Sequence, residues 1–317
     1  MTNAAFSKIS PNLQLYWDSV SYNALDKCPR YYQLSIILGY GGSKDGTISD
    51  HLTFGLLWHS ACEVYAHQRA QGIEHESAVR YVTYCLLVNT WDFVHNRPWV
   101  SIEPTKTRET LIRTTILYLD NFEFDPVETV IKTDGKPAVE VSFNFDLSEV
   151  IPDFRAPTGE SYSLCGHLDK VGSWNDDLWI PDKKSTKYDL NADYFKQFIP
   201  DNQMSIYDIA GQVVLHKPIA GIMIDAAQIL VNGTRFRRQT IPHQPEQLAE
   251  WLTDFRIKLR QNESYVANDY WPMCAQSCGY GRMQCVFRPV CSAEPAAREE
   301  MLENFYEKRT WDPMQTR

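Results

Sequence analysis

The chain has 317 residues, 44% hydrophobic and 22% charged, the make-up of a folded globular protein rather than a disordered or fibrous one. Lys plus Arg number 31 against 40 Asp plus Glu, a net charge of −9, which excludes a surface coated in positive charge for nucleic acid but not a local basic groove. No apolar run reaches the roughly 18 residues of a membrane span, and Met1 to Ser10 lacks the blocks of a signal peptide, so a cytoplasmic protein is expected.

Residues 16–38 open with a Ser/Asn-rich start and continue in an apolar helical pattern. Residues 51–70 read as a helix with Gly55, His59 and Glu63 on one face. Two more helices are expected near 75–95 and 104–121, the second entered after Pro104 with threonines to cap it. The period then changes to that of strands. Asp134-Gly135 between two alternating runs marks a hairpin. SYSLCGHLDKVGSW and LWIPDKKSTKY form a second, turned at Asn175-Asp176-Asp177. A helix over 190–216 follows, then strands over 219–231 and 235–241 joined at Asn232-Gly233. A helix over 243–262, a Cys-rich loop and a last helix near 293–307 complete the chain. The pattern predicts an α/β (α+β) fold, a mixed central β-sheet flanked by helices. No long polar linker interrupts it, so a single domain over 1–317 is expected.

Four of the eight cysteines crowd into CAQSCGYGRMQCVFRPVC, between Cys274 and Cys291. Without an export signal, a disulfide framework is not expected. Thiolates gathered in a Gly- and Pro-bearing loop point to zinc or an iron–sulfur cluster. The spacing departs from the paired CxxC of a zinc ribbon, and unliganded thiols remain an alternative. Cys62, Cys85 and Cys165 lie in periodic segments and read as small core residues.

The chemically informative stretch is GHLDKVGSWNDDLWIPDKKSTKY. Asp182 and Lys184, at i and i+2 of a strand, share a face, and Asp169 reaches them from the neighbouring strand. Carboxylates with open coordination positions suit Mg²⁺ or Mn²⁺, which polarises a phosphate and acidifies a bound water. A lysine beside them can orient that water or stabilise charge on the phosphoryl group. Taken alone, a solvated turn rich in Asp, Lys and Asn explains the same residues. Arg235, Arg237, Arg238, Lys258 and Arg260 are candidates for the DNA backbone, with a solvated charged face as the alternative.

The order of motifs adds to this. Cys28-Pro29-Arg30 comes first, then Gly55-x-x-Trp58-His59, Glu140, Gly166-x-x-Asp169, Asp182-x-Lys184-Ser185, Gln203-x-x-x-Tyr207 and the Cys loop. Together they resemble the PD-(D/E)XK nuclease superfamily. Within it they are similar to the RecB/AddB-like exonuclease branch, in the iron–sulfur form found in AddB, CRISPR-associated adaptation nucleases and phage proteins. The resemblance implies a restriction-endonuclease-like catalytic core over 126–242. It implies a helical part over 16–125 and, over 243–317, a helix and cluster loop closing onto Cys28. It implies Asp169, Asp182 and Lys184 as catalytic residues, and His59, Asp169, Asp182 and the Lys183 carbonyl as ligands of Mg²⁺ or Mn²⁺. Glu140, Gln203 and Tyr207 would bind substrate or support the site. Cys28, Cys278, Cys285 and Cys291 would hold a 4Fe-4S cluster, with Cys274 able to replace Cys278. The implied function is a metal-dependent DNase, in the form of an exonuclease on single strands or DNA ends in recombination, repair or phage DNA metabolism. A structure-specific or nicking endonuclease and a non-catalytic iron–sulfur DNA-binding subunit are the alternatives. The chain lacks a phosphate-loop motor, so a separate helicase or recombination partner fits, and no membrane is implied.

Overall fold

The computed structural model describes residues 4–43, 49–280, 283–309 and 311–314. After β1 (Tyr16–Trp17), Asp18 caps α1 (Ser19–Lys27) in a reciprocal box with Ser21. Pro29 has no N–H with which to continue that helix and starts α2 (Pro29–Tyr32), which passes into a π-helical stretch, Gln33–Ile37. The helical pattern over 16–38 is therefore several short pieces, ending before β2 (Tyr40–Ser43). Then come α3 (Asp50–Ala70) and α4 (His75–Asn89). A small hairpin, β3 (Trp91–Asp92) and β4 (Arg97–Pro98), leads to α5 (Arg108–Asn121), capped by Thr107 as the threonines suggest.

β5 (Glu128–Thr129) and β6 (Val139–Asp146) flank the turn at Gly135. The stretch expected as one strand before Asn175 is two, β7 (Ser163–Lys170) and β8 (Gly172–Trp174), divided at Val171. β9 (Asp177–Thr186) follows a two-residue turn, Asn175-Asp176, both left-handed at φ 53° and 65°. Asn and Asp tolerate that conformation, and its twist suits a hairpin. The helix expected over 190–216 is also two, α6 (Ala192–Lys196) and α7 (Asn202–Leu215). Pro200 cannot extend a helix, and Asp201 caps the next by accepting from the Met204 N–H. β10 (Gly221–Leu230) and β11 (Gly233–Ile241) join through Val231-Asn232, one residue earlier than expected. The chain ends with α8 (Pro245–Ala267), β12 (Gly279–Tyr280), β13 (Met283–Gln284), α9 (Arg288–Ser292), α10 (Arg298–Phe305) and β14 (Tyr306–Lys308).

These elements form two compact units, one of residues 1–46, 142–166 and 244–317, the other of 47–141 and 167–243. In the first, β1 runs parallel to β7 through Tyr16↔Ser163 and Trp17↔Leu164. Trp17 stacks on Tyr32 at 5.7 Å and meets Phe255 of α8 edge-on. A smaller apolar cluster gathers Leu34, Tyr40, Phe287, Val290, Leu302 and Tyr306.

The second unit is built on a five-stranded sheet in the order β11-β10-β9-β8-β5. Only β9 and β10 are parallel, because α7 lies between them in the chain and carries the crossover. At Gly221, φ +140°, a Cβ would stand 2.3 Å from the Ile241 carbonyl oxygen, so only glycine fits. Successive residues of β9 face opposite sides. Lys184 meets Gln203 of α7, while Ser185 meets Lys106, which leads into α5. The helical side packs Phe54, Trp58, Val82, Leu111 and Tyr118 against Ile229 of β10. Among the described residues, no helix is long and apolar enough to cross a membrane.

Candidate active site

Three elements of the second unit bring the chemistry together. β9 carries Asp182, Lys183 and Lys184, the end of β7 carries Asp169, and α3 carries His59. The Asp169 carboxylate accepts from the Lys183 backbone N–H at 3.0 Å, which fixes the end of β7 to β9. His59 places Nδ1 3.2 Å from the same Asp169 oxygen and Nε2 3.0 Å from the Lys183 carbonyl. Lys184 Nζ lies 2.8 Å from Asp182 Oδ2 and donates to Gln203 Oε1 at 2.8 Å. Gln203 Nε2 in turn donates to the Tyr207 hydroxyl at 2.9 Å. Residues 203 and 207 are one turn apart on α7, so both reach the same face of β9. The sequence-derived set of His59, Asp169, Asp182, Lys183, Lys184, Gln203 and Tyr207 thus converges.

Glu140 joins it more closely than its supporting assignment implied. Ligand atoms of His59, Glu140 and Asp169 all lie within 4.8 Å of one another, a donor set suited to a metal ion. Glu140 adopts φ +45°, a left-handed conformation that is costly for a residue with a long side chain. The strain is stored where its carboxylate meets the site.

The electrostatics match that use. Burial by itself would raise the Asp169 carboxyl, but His59 and Lys183 more than offset it and hold it far below the usual range. Burial raises the Asp182 carboxyl, Lys184 works against this, and neighbouring Asp169 adds to the rise. Two buried carboxylates this close cannot both carry charge without compensation. Burial opposes the Lys184 ammonium, yet Asp182 beside it raises its pKa overall. Burial likewise opposes the His59 imidazolium, and Asp169 reverses the balance. A divalent cation fits this set of hard oxygen donors and one imidazole.

The cysteines form a second constellation, in the first unit. Cys28 N-caps α2, and its sulfur accepts from the Cys274 N–H at 3.3 Å. The Ser277 hydroxyl donates to the Lys27 carbonyl at 2.7 Å, 250 residues away in the chain. Cys285 N–H donates to the Cys278 carbonyl at 3.0 Å. Burial, then the nearby Cys285, Cys28 and Cys274, pushes the Cys278 thiol up; burial also raises Cys291, against Arg30, with Cys278, Cys285 and Cys28 adding to the rise. None of these thiols is in a disulfide. Cys285 and Cys291 pack against the cluster around Phe287, which shields one side. Charge on one of these thiolates therefore disfavours charge on its neighbours, a repulsion that a bound cation would relieve. Of the other cysteines, Cys62 and Cys165 are core residues, while Cys85 is only partly buried.

Several of the candidate basic residues have acidic partners. Arg238 is paired with Asp125 and with Asp225 at 2.9 Å, inside the second unit. Lys258 pairs with Asp26 at 2.9 Å and Arg260 with Glu263 at 2.7 Å. Buried Lys106, missed in the sequence, lies 4.3 Å from the Phe54 ring and donates to Ser185 at 3.0 Å. Its only local signal is a lysine just before a cap. Also missed is a chain in which Tyr65 donates to His75 Nδ1 at 2.8 Å and His75 Nε2–H to Asp120 at 3.1 Å. No local pattern marks partners on three different helices.

Asp182-x-Lys184 lies on β9 of the five-stranded sheet and His59 on α3. Asp169 stands at the end of β7, in a separate sheet with β1 and β6 rather than on the strand next to β9. Together they make a framework suited to metal-assisted phosphodiester hydrolysis. Residues 19–292 match the PD-(D/E)XK nuclease superfamily, and the chain belongs to it. In structure it is similar to a candidate exonuclease from Eubacterium rectale, with 11% identity over 88% of this chain and 94% of that one and a TM-score of 0.46. It is also similar to the protein SSO0001, at 11% identity over 78% and 98% of the two chains, with a TM-score of 0.31. No curated protein matches it in sequence.

Proposed function

We propose that the protein is a Mg²⁺- or Mn²⁺-dependent DNA exonuclease that acts on single strands or DNA ends in recombination, repair or phage DNA metabolism. The observation that carries this reading is the His59, Glu140 and Asp169 donor group together with the β9 ammonium held between Asp182 and Gln203. His59, Asp169, Asp182 and the Lys183 carbonyl would hold the metal, with Glu140 in reach of it. When bound, the ion supplies the positive charge that polarises the phosphate and activates water. Lys184 stays protonated in this setting, so it serves as a fixed cation for charge developing on the phosphoryl oxygens rather than as a base. Gln203 and Tyr207 hold it in line. In the first unit, Cys28, Cys278, Cys285 and Cys291 would hold a structural 4Fe-4S cluster. Motor activity would come from a separate helicase or recombination partner.

The test is anaerobic purification followed by end-labelled linear DNA and closed circular DNA in Mn²⁺, with Lys184→Ala as control. Loss of linear DNA alone, absent in the variant and stopped by EDTA, is expected. Cutting of the circle would replace the exonuclease reading with an endonuclease. Equal cleavage by Lys184→Ala would remove the site assignment.

A further inference from the structure

The His59–Glu140–Asp169 trio forms one wall of a pocket of about 230 Å³ in the second unit. Its other walls bring Tyr65 from α3, Phe122 just past α5, and Val127 and Ile131 beside β5. The volume is below the ~300–1,000 Å³ of sites for drug-sized ligands, so it suits one ring system. Apolar and aromatic side chains line it, and the Lys170 ammonium beside them is held by the Val127 carbonyl at 2.8 Å. Glu63, Glu123 and Glu128 line it together with Arg69, Lys170 and Lys183, so its charge is mixed, and its size and its rings are what select a flat aromatic group.

Tyr65 is the fixed part of this wall. Its hydroxyl is tied to His75, and His75 to Asp120, by the relay described above. His75 meets the Tyr65 ring edge-on at 5.8 Å. A ring anchored at both its edge and its hydroxyl loses little entropy on stacking a ligand. The metal-ligand trio at the pocket wall would keep the phosphate outside, one group away from a base inside. We propose that this pocket receives the unstacked terminal base of a DNA strand, with Tyr65 as its stacking platform and the His75–Asp120 pair as positioning residues. Flat π-stacking is available to every base, so the pocket tolerates any sequence. The proposal rests on the nuclease reading for its substrate, and deepens it by adding a site that grips the end.

Two measurements separate the two ideas. In EDTA, where no cleavage occurs, the full-length protein is titrated with deoxyadenosine and followed by saturation-transfer NMR. Binding is expected for wild type and Tyr65→Phe, and a loss of about ten-fold for Tyr65→Ala, in line with ~1–3 kcal/mol per stacked base. In Mn²⁺, kcat/KM is compared for a strand ending in a base and one ending in an abasic nucleotide. Wild type is expected to favour the base-bearing end by about ten-fold, Tyr65→Ala to show a ratio near one, and Tyr65→Phe and His75→Ala, which both break the hydroxyl tie, intermediate ratios carried by KM. Cleavage of both ends with equal efficiency by wild type overturns the pocket and leaves the nuclease standing. Nucleoside binding without cleavage of either end overturns the nuclease reading and keeps a base-binding pocket. Absence of nucleoside binding overturns the pocket whatever the cleavage result.

Discussion

Asp182 and Lys184 are two residues apart on one strand, and that spacing puts both on the α7 side of the sheet. Lys184→Ala removes the only cation seen between Asp182 and Gln203, and cleavage should fall by about 10²–10³ or more, read as kcat/KM with the circular dichroism spectrum unchanged. Gln203→Ala frees Lys184 without removing its charge, so a smaller loss, about ten-fold, is expected in the same assay. Lys106 makes a different prediction. Burial pushes its ammonium down to about 8, with Glu103 opposing. Between about pH 8 and the ~10.4 of an unfolded lysine, the unfolded chain binds the extra proton, so stability from this residue rises with pH and its full penalty applies below 8. Lys106→Met should therefore stabilise the protein at pH 7 by of the order of 2 kcal/mol less the lost Ser185 bond, seen as a higher melting temperature, and flatten the rise above pH 8. A melting temperature that falls at pH 7 would show that the Ser185 and Phe54 contacts outweigh the buried charge. The shared face of Asp182 and Lys184 was legible because period two fixes faces within a strand, whereas the place of Asp169, on a strand of another sheet, was not. The pairing of Arg238 was not, since Asp125 lies 113 residues away and only the fold brings it near.

Among the elements, the β8–β9 hairpin presents the D-x-K strand, and its turn is the cheapest place to alter it. Asp176 sits at φ 65° with an exposed side chain. Asp176→Gly should relieve the left-handed strain and stabilise by ~0.5–1 kcal/mol, seen as a higher urea midpoint at unchanged slope. A lower midpoint would mean that the Asp side chain supports the turn by more than the strain costs. The turn itself was readable from Asn-Asp between alternating runs. The break at Val171 was not: its backbone bonds go to Ala138 and Val130, whereas β8 pairs with β9. Alternation continues smoothly through such a switch of partners, so the sequence shows no sign of it. The split of α6 from α7 did have a sign, Pro200 followed by a capping Asp201, which the apolar periodicity on either side masked.

For the whole molecule, a net charge of −9 means that affinity for DNA cannot come from a general positive field and must be local. Segments far apart in the sequence are tied together in part by ion pairs, such as Arg238 with Asp125 across 113 residues. The cysteines offer a second kind of tie. Cys28 and the loop from Cys274 meet 246 residues apart, through one N–H to sulfur bond. Closing so long a loop costs little more than closing a shorter one, because the cost grows with the logarithm of length. A bound cluster stabilises the closed form by its whole affinity, since an unfolded chain has no preformed site. Cys285→Ser should therefore lose iron and the brown colour together. It should also lose of the order of 3 kcal/mol or more of stability in anaerobic thermal melts, while Cys85→Ser, outside the thiol group, should lose neither. Cys274→Ser distinguishes the fifth thiol: retained iron with a modest drop in melting temperature makes it a neighbour that donates its N–H to Cys28, and lost iron makes it a ligand in place of Cys278. A Cys285→Ser protein that kept both iron and its melting temperature would remove the cluster from the proposal and leave the nuclease site untouched, because every residue of that site lies in the other compact unit.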